Sequence, residues 1–252
     1  MKLRTRWKKF TALIGGIIVL FFIVVTAVIY AVYNGYYHVN GLRAAKYPIH
    51  GVDVSHHQGD IDWNVLADQD IQFAYIKATE GSSHVDENFV SNYQEARQAG
   101  LRVGAYHFFS YDSPGITQAK NFIDTVENFD GMLPPVVDVE FYANKKDNPP
   151  VPEEVYPQLQ AYLDAVEETY GLQPIIYATD ESWELYIHEQ FNDYPLWIRD
   201  IWNMPKNSVD WTLWQYTNRG RLKGFSGDES YVDLNVFTGT VEEWENMTKE
   251  NK

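Results

Sequence analysis

The chain has 252 residues, a net charge of −15 at pH 7 and no cysteine, and 45% of its residues are hydrophobic and 22% charged. This length allows one large domain or two small ones, and the composition is that of a folded globular chain. The missing cysteines exclude a disulfide framework and a thiolate metal site, and the acidic balance argues against binding to nucleic acid phosphates.

The N-terminal segment has the pattern of a membrane anchor. Residues 1–9 carry five basic residues and no acid, and no charged residue lies between Phe10 and Tyr33. A helix over 10–33 would be about 36 Å long, enough to span a bilayer, whereas a signal-peptide core has about 7–15 apolar residues and ends at a small-residue cleavage site. No such site follows, so we predict an uncleaved transmembrane signal anchor with its basic flank in the cytoplasm. The alternative is a buried core helix, but a helix that is apolar on all faces needs a larger protein around it.

The chain beyond the anchor is predicted to lie outside the cell. Residues 34–48 are expected to form a short stalk. After residue 40 the chain carries fifteen basic and thirty-five acidic residues, a net charge of −20. Because so acidic a domain is not attracted to an anionic wall polymer, we expect the anchor to hold it at the cell surface.

From residue 49 the chain alternates short apolar runs with helical patterns. Most runs are rich in Val, Ile and aromatic residues, as is typical of strands that are covered on both faces. The eight predicted strands span 49–55, 73–79, 102–109, 134–140, 174–179, 195–200, 212–217 and 231–237.

Helices are predicted between the first six strands. They are 86–99 before Gly100, 114–129 with Ser113 as N-cap and Pro114 in the first helical position, 152–170 before Gly171, and 180–191 from Asp180. Strands alternating with helices indicate an α/β fold, a TIM-like barrel preceded by one transmembrane helix. The last strands are too close for helical crossovers, so we predict plain loops there and one antiparallel strand. The barrel domain is assigned to 49–240, and 241–252 is a C-terminal tail.

Two acids mark the end of the fourth predicted strand. The chemistry of a β/α barrel takes place at the carboxyl ends of its strands. Asp138 and Glu140 are two residues apart there, so their side chains lie on one face and point into the barrel mouth. Val137 and Val139 face the other way, toward the helices.

Two further acids are predicted to reach the same mouth. Asp53 ends the first predicted strand, Asp233 lies early in the eighth, and a closed barrel makes these strands neighbours. Clustered carboxylates raise each other's pKa, which keeps a carboxyl protonated so that it can act as a general acid. The alternative is a structural ion pair, but the fourth strand carries no base. We therefore predict catalytic roles for Glu140, Asp138, Asp53 and Asp233.

Aromatic residues accompany the acids. A sugar ring stacks its C–H faces on aromatic planes and donates its hydroxyls to carboxylates, so this combination favours a carbohydrate substrate. Core packing is the alternative for each aromatic residue taken singly. The predicted substrate-binding residues are Tyr106, Tyr142, Tyr177, Trp197, Trp214 and Tyr216.

Two adjacent histidines follow the first predicted strand. A metal-dependent deacetylase that uses Asp53 with His56 and His57 is one interpretation. Adjacent histidines on a loop rarely face one ion, and no third histidine has a suitable spacing. We therefore predict no metal and no cofactor, with both histidines at the rim of the mouth; activity that survives chelation by EDTA is the corresponding test.

Six segments occur in a characteristic order over 49–237: DVSHHQGDIDW, IKATEG, AYHFF, PPVVDVE, WQYT and YVDLN. Together they resemble glycoside hydrolase family 25, the lysozymes or muramidases of bacteria, phages and fungi. The resemblance implies a flattened barrel of five β/α units followed by three strands. It also implies hydrolysis of the β-1,4 bond between N-acetylmuramic acid and N-acetylglucosamine in peptidoglycan.

The resemblance also implies roles for the acids. Glu140 would protonate the leaving oxygen, and Asp138 would orient or stabilise the 2-acetamido group of the substrate, a substrate-assisted route that departs from the two-carboxylate scheme. Asp53 and Asp233 take the places of the family's first-strand and late aspartates. The implied partners are peptidoglycan glycan strands and, through the N-terminal helix, a membrane; the catalytic domain is expected to be monomeric.

Two other functions stay open on the sequence. A chitinase-like barrel also carries D-x-E on its fourth strand, but its longer Asp-rich motif is absent, because Pro134 and Val136 occupy those positions. A non-catalytic wall-binding module is the second; its function would survive Glu140→Gln.

Overall fold

The computed structural model describes residues 2–127, 131–206, 209–227 and 229–247. The last residues of the predicted helix 114–129 and of the predicted tail 241–252 lie outside these ranges. Helix α1 (Lys2–Tyr33) contains the predicted membrane span: Lys9–Tyr33 is long and apolar enough to cross a membrane, and none of it is buried. The alternative of a buried core helix is therefore wrong.

The remaining elements alternate along the chain. They are α2 (Gly41–Ala44), β1 (His50–Val54), α3 (Trp63–Ala67), β2 (Phe73–Glu80), β3 (His84–Val85), α4 (Phe89–Gln98), β4 (Arg102–Phe108), α5 (Gly115–Thr125), β5 (Val136–Val139), α6 (Pro152–Tyr170), β6 (Ile175–Thr179), α7 (Asp180–Ser182), β7 (Leu196–Arg199), β8 (Leu213–Gly220), β9 (Val232–Phe237) and α8 (Val241–Glu245). A π-helical turn, Trp183–Ile187, continues α7. All eight predicted strands are present; α2, the short β3 and α8 were not predicted.

Eight strands close into a barrel in the order β1-β9-β8-β7-β6-β5-β4-β2, with β2 paired to β1. Strand β9 is antiparallel to both β8 and β1, and the other neighbours are parallel. A helix follows each of β1, β2, β4, β5 and β6, and no helix follows β7 or β8 in the part of the chain that the structure describes. The predicted TIM-like barrel with three closing strands and one antiparallel strand is confirmed.

Helix ends agree with their sequence signals except in α5. Gly171 ends α6 in the left-handed conformation, with φ 67°. Helix α5 begins at Gly115, so Pro114 is its N-cap and not its first residue, and no side chain caps the helix. Ser113 is therefore not the N-cap.

The barrel interior is apolar at the end where the parallel strands begin. Phe73, Tyr75, Trp197 and Leu213 belong to the cluster that fills it. Tyr75 packs across the barrel because the neighbouring strand has glycine opposite: a Cβ at Gly104 would lie 2.1 Å from the Tyr75 ring. The polar side chains are thereby confined to the other end, the barrel mouth.

Gly104→Ala is expected to lower the free energy of unfolding by about 1–3 kcal/mol, because the added methyl group overpacks this layer. Thermal unfolding of the detergent-solubilised chain measures the change. Gly41→Ala is the matched control, since its Cβ would make only an ordinary contact, 3.5 Å from the His38 Cβ. Equal melting temperatures of the two variants would contradict the packing argument.

The segment 34–48, predicted as a stalk, lies along the barrel. The Asn40 side chain is fully buried, and its Nδ2 donates to the carbonyl oxygens of Asp200 at 3.2 Å and Asn203 at 3.0 Å. Tyr47 packs edge-on against Trp211, with ring centroids 5.5 Å apart. The segment is thus held on the outside of β8.

Candidate active site

The barrel mouth is a cavity of about 250 Å³ at the carboxyl ends of the parallel strands. Its floor is the aromatic layer below, and its walls are polar. All four predicted acids line it. The lining side chains that carry a polar group or an aromatic ring are Asp53, Ser55, His57, Gln58, Lys77, Tyr106, Phe108, Asp138, Glu140, Tyr177, Trp197, Glu229 and Asp233.

Asp53 and Asp233 form one pair in the cavity wall. They are directly opposite each other on the antiparallel strands β1 and β9. The Gln215 Nε2 donates to Asp53 Oδ2 at 3.1 Å and to Asp233 Oδ2 at 3.0 Å, and the Asn235 Nδ2 donates to Asp53 Oδ2 at 2.7 Å. One glutamine amide therefore joins two carboxyl groups that are far apart in the sequence.

Two ring groups orient these amides. The Tyr177 hydroxyl donates to Gln215 Oε1 at 3.0 Å, and the Trp197 Nε1 donates to Asn235 Oδ1 at 2.9 Å. Because each amide oxygen already accepts a hydrogen bond, each amide nitrogen faces the acids. Tyr177 and Trp197, predicted as substrate-binding residues, thus also support the acid pair.

The pKa values of the two acids in this pair are raised to different extents. Burial raises the pKa of Asp53, and hydrogen bonds from Asn235 and Gln215 partly offset that rise. Burial and the neighbouring Asp53 charge raise the pKa of Asp233 well above its usual range. Burial therefore disfavours ionisation of both carboxyl groups, and it does so more strongly at Asp233.

Asp138 and Glu140 lie together at the end of β5, as strand alternation predicted. Asp138 is buried, and its Oδ1 has no hydrogen-bond partner. Burial and, after it, the charge of Glu140 raise the pKa of Asp138 well above its usual range. Burial also raises the pKa of Glu140, and Arg199 moderates that rise. Val137 and Val139 pack in the outer core, which confirms the predicted alternation.

Two cations that the sequence analysis missed stand near the acids. Lys77 lines the cavity, with its Nζ 2.7 Å from Glu80 Oε2 and 5.0 Å from the centroid of the Phe108 ring. The positive charges of Lys77 and Arg199 lower the pKa of Glu140 against the effect of burial. Strand alternation was the available signal, because each cation lies two residues after an inward aromatic residue.

The predicted aromatic residues divide into two groups. Tyr106, Tyr177 and Trp197 line the cavity. Tyr142 does not: its hydroxyl donates to Asp112 Oδ2 at 2.9 Å, and its ring packs 5.6 Å from that of Phe108. Tyr142 therefore packs against Phe108, which lines the cavity.

Trp214 and Tyr216 are not brought to the cavity, which corrects the prediction that they bind substrate. Both lie in the outer core, and the Trp214 Nε1 donates to the Asp200 carbonyl oxygen at 2.9 Å. On β8 the alternation turns Leu213 and Gln215 inward, so the two aromatic residues between and beyond them face outward. Gln215 is the functional residue of this strand that the sequence analysis missed.

The adjacent histidines lie at the rim. The His56 Nδ1 is 2.7 Å from the buried Asp86 Oδ2, and His57 lines the cavity. Gln58 closes the turn, since its Oε1 accepts the Ser55 N–H at 2.9 Å. Within the described ranges, no group of three or more His, Asp or Glu side chains is arranged to hold a metal ion.

A closed β/α barrel with paired carboxyl groups and aromatic residues in one polar mouth is the arrangement of a barrel glycoside hydrolase. Residues 52–225 match the family model described as glycosyl hydrolases family 25. The chain belongs to this family, and it is a glycoside hydrolase of the muramidase type.

Solved structures and curated relatives agree with this family. A family 25 glycosyl hydrolase from Bacillus anthracis is 51% identical, with a TM-score of 0.77 over 81% of this chain and 95% of that one. The bacterial lysozyme from Streptomyces coelicolor is 31% identical, with a TM-score of 0.69 over 77% of this chain and 94% of that one. Lysozyme M1 of Streptomyces globisporus is 32% identical over 77% of this chain and 69% of that protein. These likenesses favour an enzyme over a non-catalytic wall-binding module.

Proposed function

We propose that this chain hydrolyses the β-1,4 bond between N-acetylmuramic acid and N-acetylglucosamine in peptidoglycan, at the outer surface of a cell membrane. The observation that carries the proposal is the pair Asp138 and Glu140, held together at the end of β5 inside an aromatic-lined cavity. Relatives that are lysozymes support the class of substrate.

Glu140 is proposed as the general acid that protonates the leaving oxygen. Its raised pKa keeps the proton available at a higher pH than in an ordinary glutamate. Asp138, whose Oδ1 is unpartnered, is proposed to accept a hydrogen bond from the 2-acetamido N–H of the substrate. The Asp53–Asp233 pair is proposed to shape the opposite wall through Gln215.

Two cavity tyrosines are proposed to contact the substrate. Burial and the acids around them raise the pKa values of Tyr106 and Tyr177 well above the usual range. Both phenols are therefore harder to ionise than an ordinary tyrosine. Their rings supply the faces on which a sugar ring stacks.

The rate of hydrolysis is expected to fall as the pH rises through the pKa of Glu140, because the general acid then loses its proton. Since burial raises this pKa, the alkaline limb should lie above the ordinary range of a glutamate. Initial rates on soluble glycan between pH 4 and pH 9 measure it. Arg199→Gln should shift this limb to higher pH, because the positive charge of Arg199 holds the pKa down; a shift to lower pH would contradict the assignment.

New reducing ends released from a peptidoglycan suspension test the activity. Mass spectrometry of the products tests the bond, since a muramidase leaves N-acetylmuramic acid at the reducing end. We expect EDTA to leave the rate unchanged. Products that end in N-acetylglucosamine would contradict the proposed bond, and loss of activity in EDTA would contradict a metal-independent reaction.

Helix α1 is proposed as a single-pass anchor with its basic end in the cytoplasm and the barrel on the cell-wall side. Its apolar length and full exposure support this. Protease treatment of intact cells is expected to release a barrel fragment that begins after Tyr33. Protein found free in the medium with its N-terminus beyond residue 33 would indicate a cleaved signal sequence instead.

A further inference from the structure

The end of α1 is fastened to the carboxyl end of β8. The Arg219 Nη1 donates to the Tyr33 carbonyl oxygen at 2.6 Å, and its guanidinium lies over the Tyr33 ring, 4.7 Å from the centroid. The His38 Nε2 lies 3.0 Å from the Arg219 carbonyl oxygen. The last residue of the apolar helix is therefore held by the carboxyl end of a barrel strand.

A second arginine repeats this contact. The Arg221 Nη1 donates to the Asn34 carbonyl oxygen at 3.1 Å, and its guanidinium lies 4.5 Å from the Tyr36 ring centroid. Between these residues, Gly35 has φ 65°, and a Cβ there would lie 2.3 Å from the Arg219 carbonyl oxygen. The chain turns here in a conformation and at a closeness that favour glycine.

From this point the chain runs along the outer face of β8 to the other end of the barrel. His38 packs against Tyr216, in the middle of β8, and Tyr47 packs against Trp211, which precedes the strand. Strand β1 then begins at the end opposite the mouth. Residues 34–48 thus enter at the mouth and leave at the closed end.

The attachment is held by buried polar contacts as well as by the two arginines. A flexible linker of this length would have a root-mean-square span of about 20 Å and would allow any orientation of the barrel. Here the fully buried Asn40 amide is held by two backbone carbonyl groups of the loop after β7. A buried amide costs free energy when its partners are lost, so the segment does not detach freely.

The direction of the parallel strands decides which end of the barrel faces α1. Strands β5 and β8 both run toward the mouth, so Arg219 and Glu140 are at the same end. Tyr30, Tyr33 and Tyr36 surround the end of the apolar span, where aromatic side chains lie at the headgroup level of a bilayer. The rim of the mouth therefore lies close to the level of the lipid headgroups.

We propose that the catalytic cavity opens at the membrane-facing end of the barrel, and that its substrate is the glycan lying against the outer surface of the membrane, not the outer layers of the wall. This inference rests on the proposed anchor and on the proposed hydrolysis of peptidoglycan. Glycan strands that run parallel to the membrane reach such a mouth from the side, whereas thick insoluble wall fragments do not fit between the barrel and the bilayer.

Two labels at opposite ends of the barrel test the orientation. The chain has no cysteine, so single cysteines can be introduced at exposed positions without other changes. Asp147→Cys lies on the mouth side before α6, and Glu168→Cys lies near the far end of α6. Residues 152 and 168 are separated by about 24 Å of helix. Both variants carry a fluorophore, and the full chain is reconstituted in phosphatidylcholine vesicles with a quencher on the lipid headgroups.

We expect several-fold stronger quenching at residue 147 than at residue 168. Insertion of a flexible Gly-Ser linker after Asn34 in each labelled variant is the control, and it should remove the difference. Equal quenching, or stronger quenching at residue 168, in the chain without the linker overturns the proposed orientation.

The same vesicles separate this inference from the function on which it rests. We expect the anchored chain to cleave soluble glycan oligomers at the rate of the linker form, and to cleave insoluble wall fragments at least several-fold more slowly than that form. Equal rates on wall fragments, with soluble glycan cleaved, overturn the membrane-adjacent substrate alone. No cleavage of soluble glycan by either form overturns the proposed function, whatever the labels report.

Discussion

Glu140→Gln is expected to lower the rate of peptidoglycan hydrolysis by about a hundred- to ten-thousandfold, the usual contribution of a positioned general acid. Glutamine keeps the shape of the side chain at the mouth but has no acidic proton for the leaving oxygen. Substrate binding should be little changed, because the tyrosines and the Asp53–Asp233 pair are untouched. The loss should therefore appear in kcat and not in KM.

Release of reducing ends from soluble glycan measures the effect, with purified variants at equal concentration. Glu154→Gln is the matched control, because Glu154 is an exposed acid in the first turn of α6, away from the cavity. Wild-type turnover by Glu140→Gln would remove the general-acid role and reopen the interpretation as a wall-binding module.

Asp138→Asn is expected to lower the rate of hydrolysis strongly. The same substitution is expected to stabilise the fold. The wild-type carboxyl group is buried next to Glu140, and its Oδ1 has no partner. Replacing it with a neutral amide of the same shape removes a carboxyl group whose ionisation is disfavoured by burial, and should raise the free energy of unfolding at pH 7 by about 1–3 kcal/mol. A site that is optimised for turnover at the expense of stability shows this behaviour.

The pH dependence of stability follows from the direction in which burial shifts the pKa of Asp138. Because the pKa of Asp138 is higher in the folded than in the unfolded state, the folded state binds the proton more tightly. The wild-type free energy of unfolding therefore falls as the pH rises from the unfolded pKa through the folded one. The gain in the free energy of unfolding from Asp138→Asn should be small at pH 4 and larger at pH 7. Thermal unfolding at both pH values measures it.

Asp147→Asn serves as the control for this experiment, because Asp147 is exposed in the loop before α6. Its stability should match that of the wild type at both pH values. A loss of stability in Asp138→Asn at pH 7 would show that the carboxylate is stabilised by its surroundings, contrary to the proposed cost.

The acids could be predicted because their signal is local. Two carboxylates at alternate positions of one apolar strand share a face whatever the rest of the chain does, so Asp138 and Glu140 followed from strand geometry. The eight apolar runs, the helices between the first six of them and the charge-free N-terminal span have the same local character. Helix boundaries moved where end signals compete, as at Ser113 and Pro114, and α4 begins at Phe89 where the prediction began at residue 86. The predicted helix 180–191 is α-helical only over Asp180–Ser182 and continues as a π-helical turn to Ile187.

The aromatic residues of β8 show where local reasoning failed. The composition of WQYT favours Trp214 as a cavity residue, but the register of β8 turns it outward. The inward residue is Gln215, whose amide is useful only because closure of the barrel brings Asp53 and Asp233 to it. The charges of Lys77 and Arg199 likewise act on Glu140, which belongs to another strand. Their effect on the pKa of Glu140 could therefore not be predicted from their own strands.

The sequence by itself determined the apolar N-terminal helix, the number and order of the strands, and the acids that lie at strand ends, because periodicity and spacing act over a few residues. Only the tertiary structure decided that Gln215 joins Asp53 to Asp233, that two cations moderate the acids, and that residues 34–48 lie between the N-terminal helix and the barrel. These features depend on strand register and on contacts between segments that are far apart in the sequence. Such contacts form only when the barrel closes, and no local pattern encodes them.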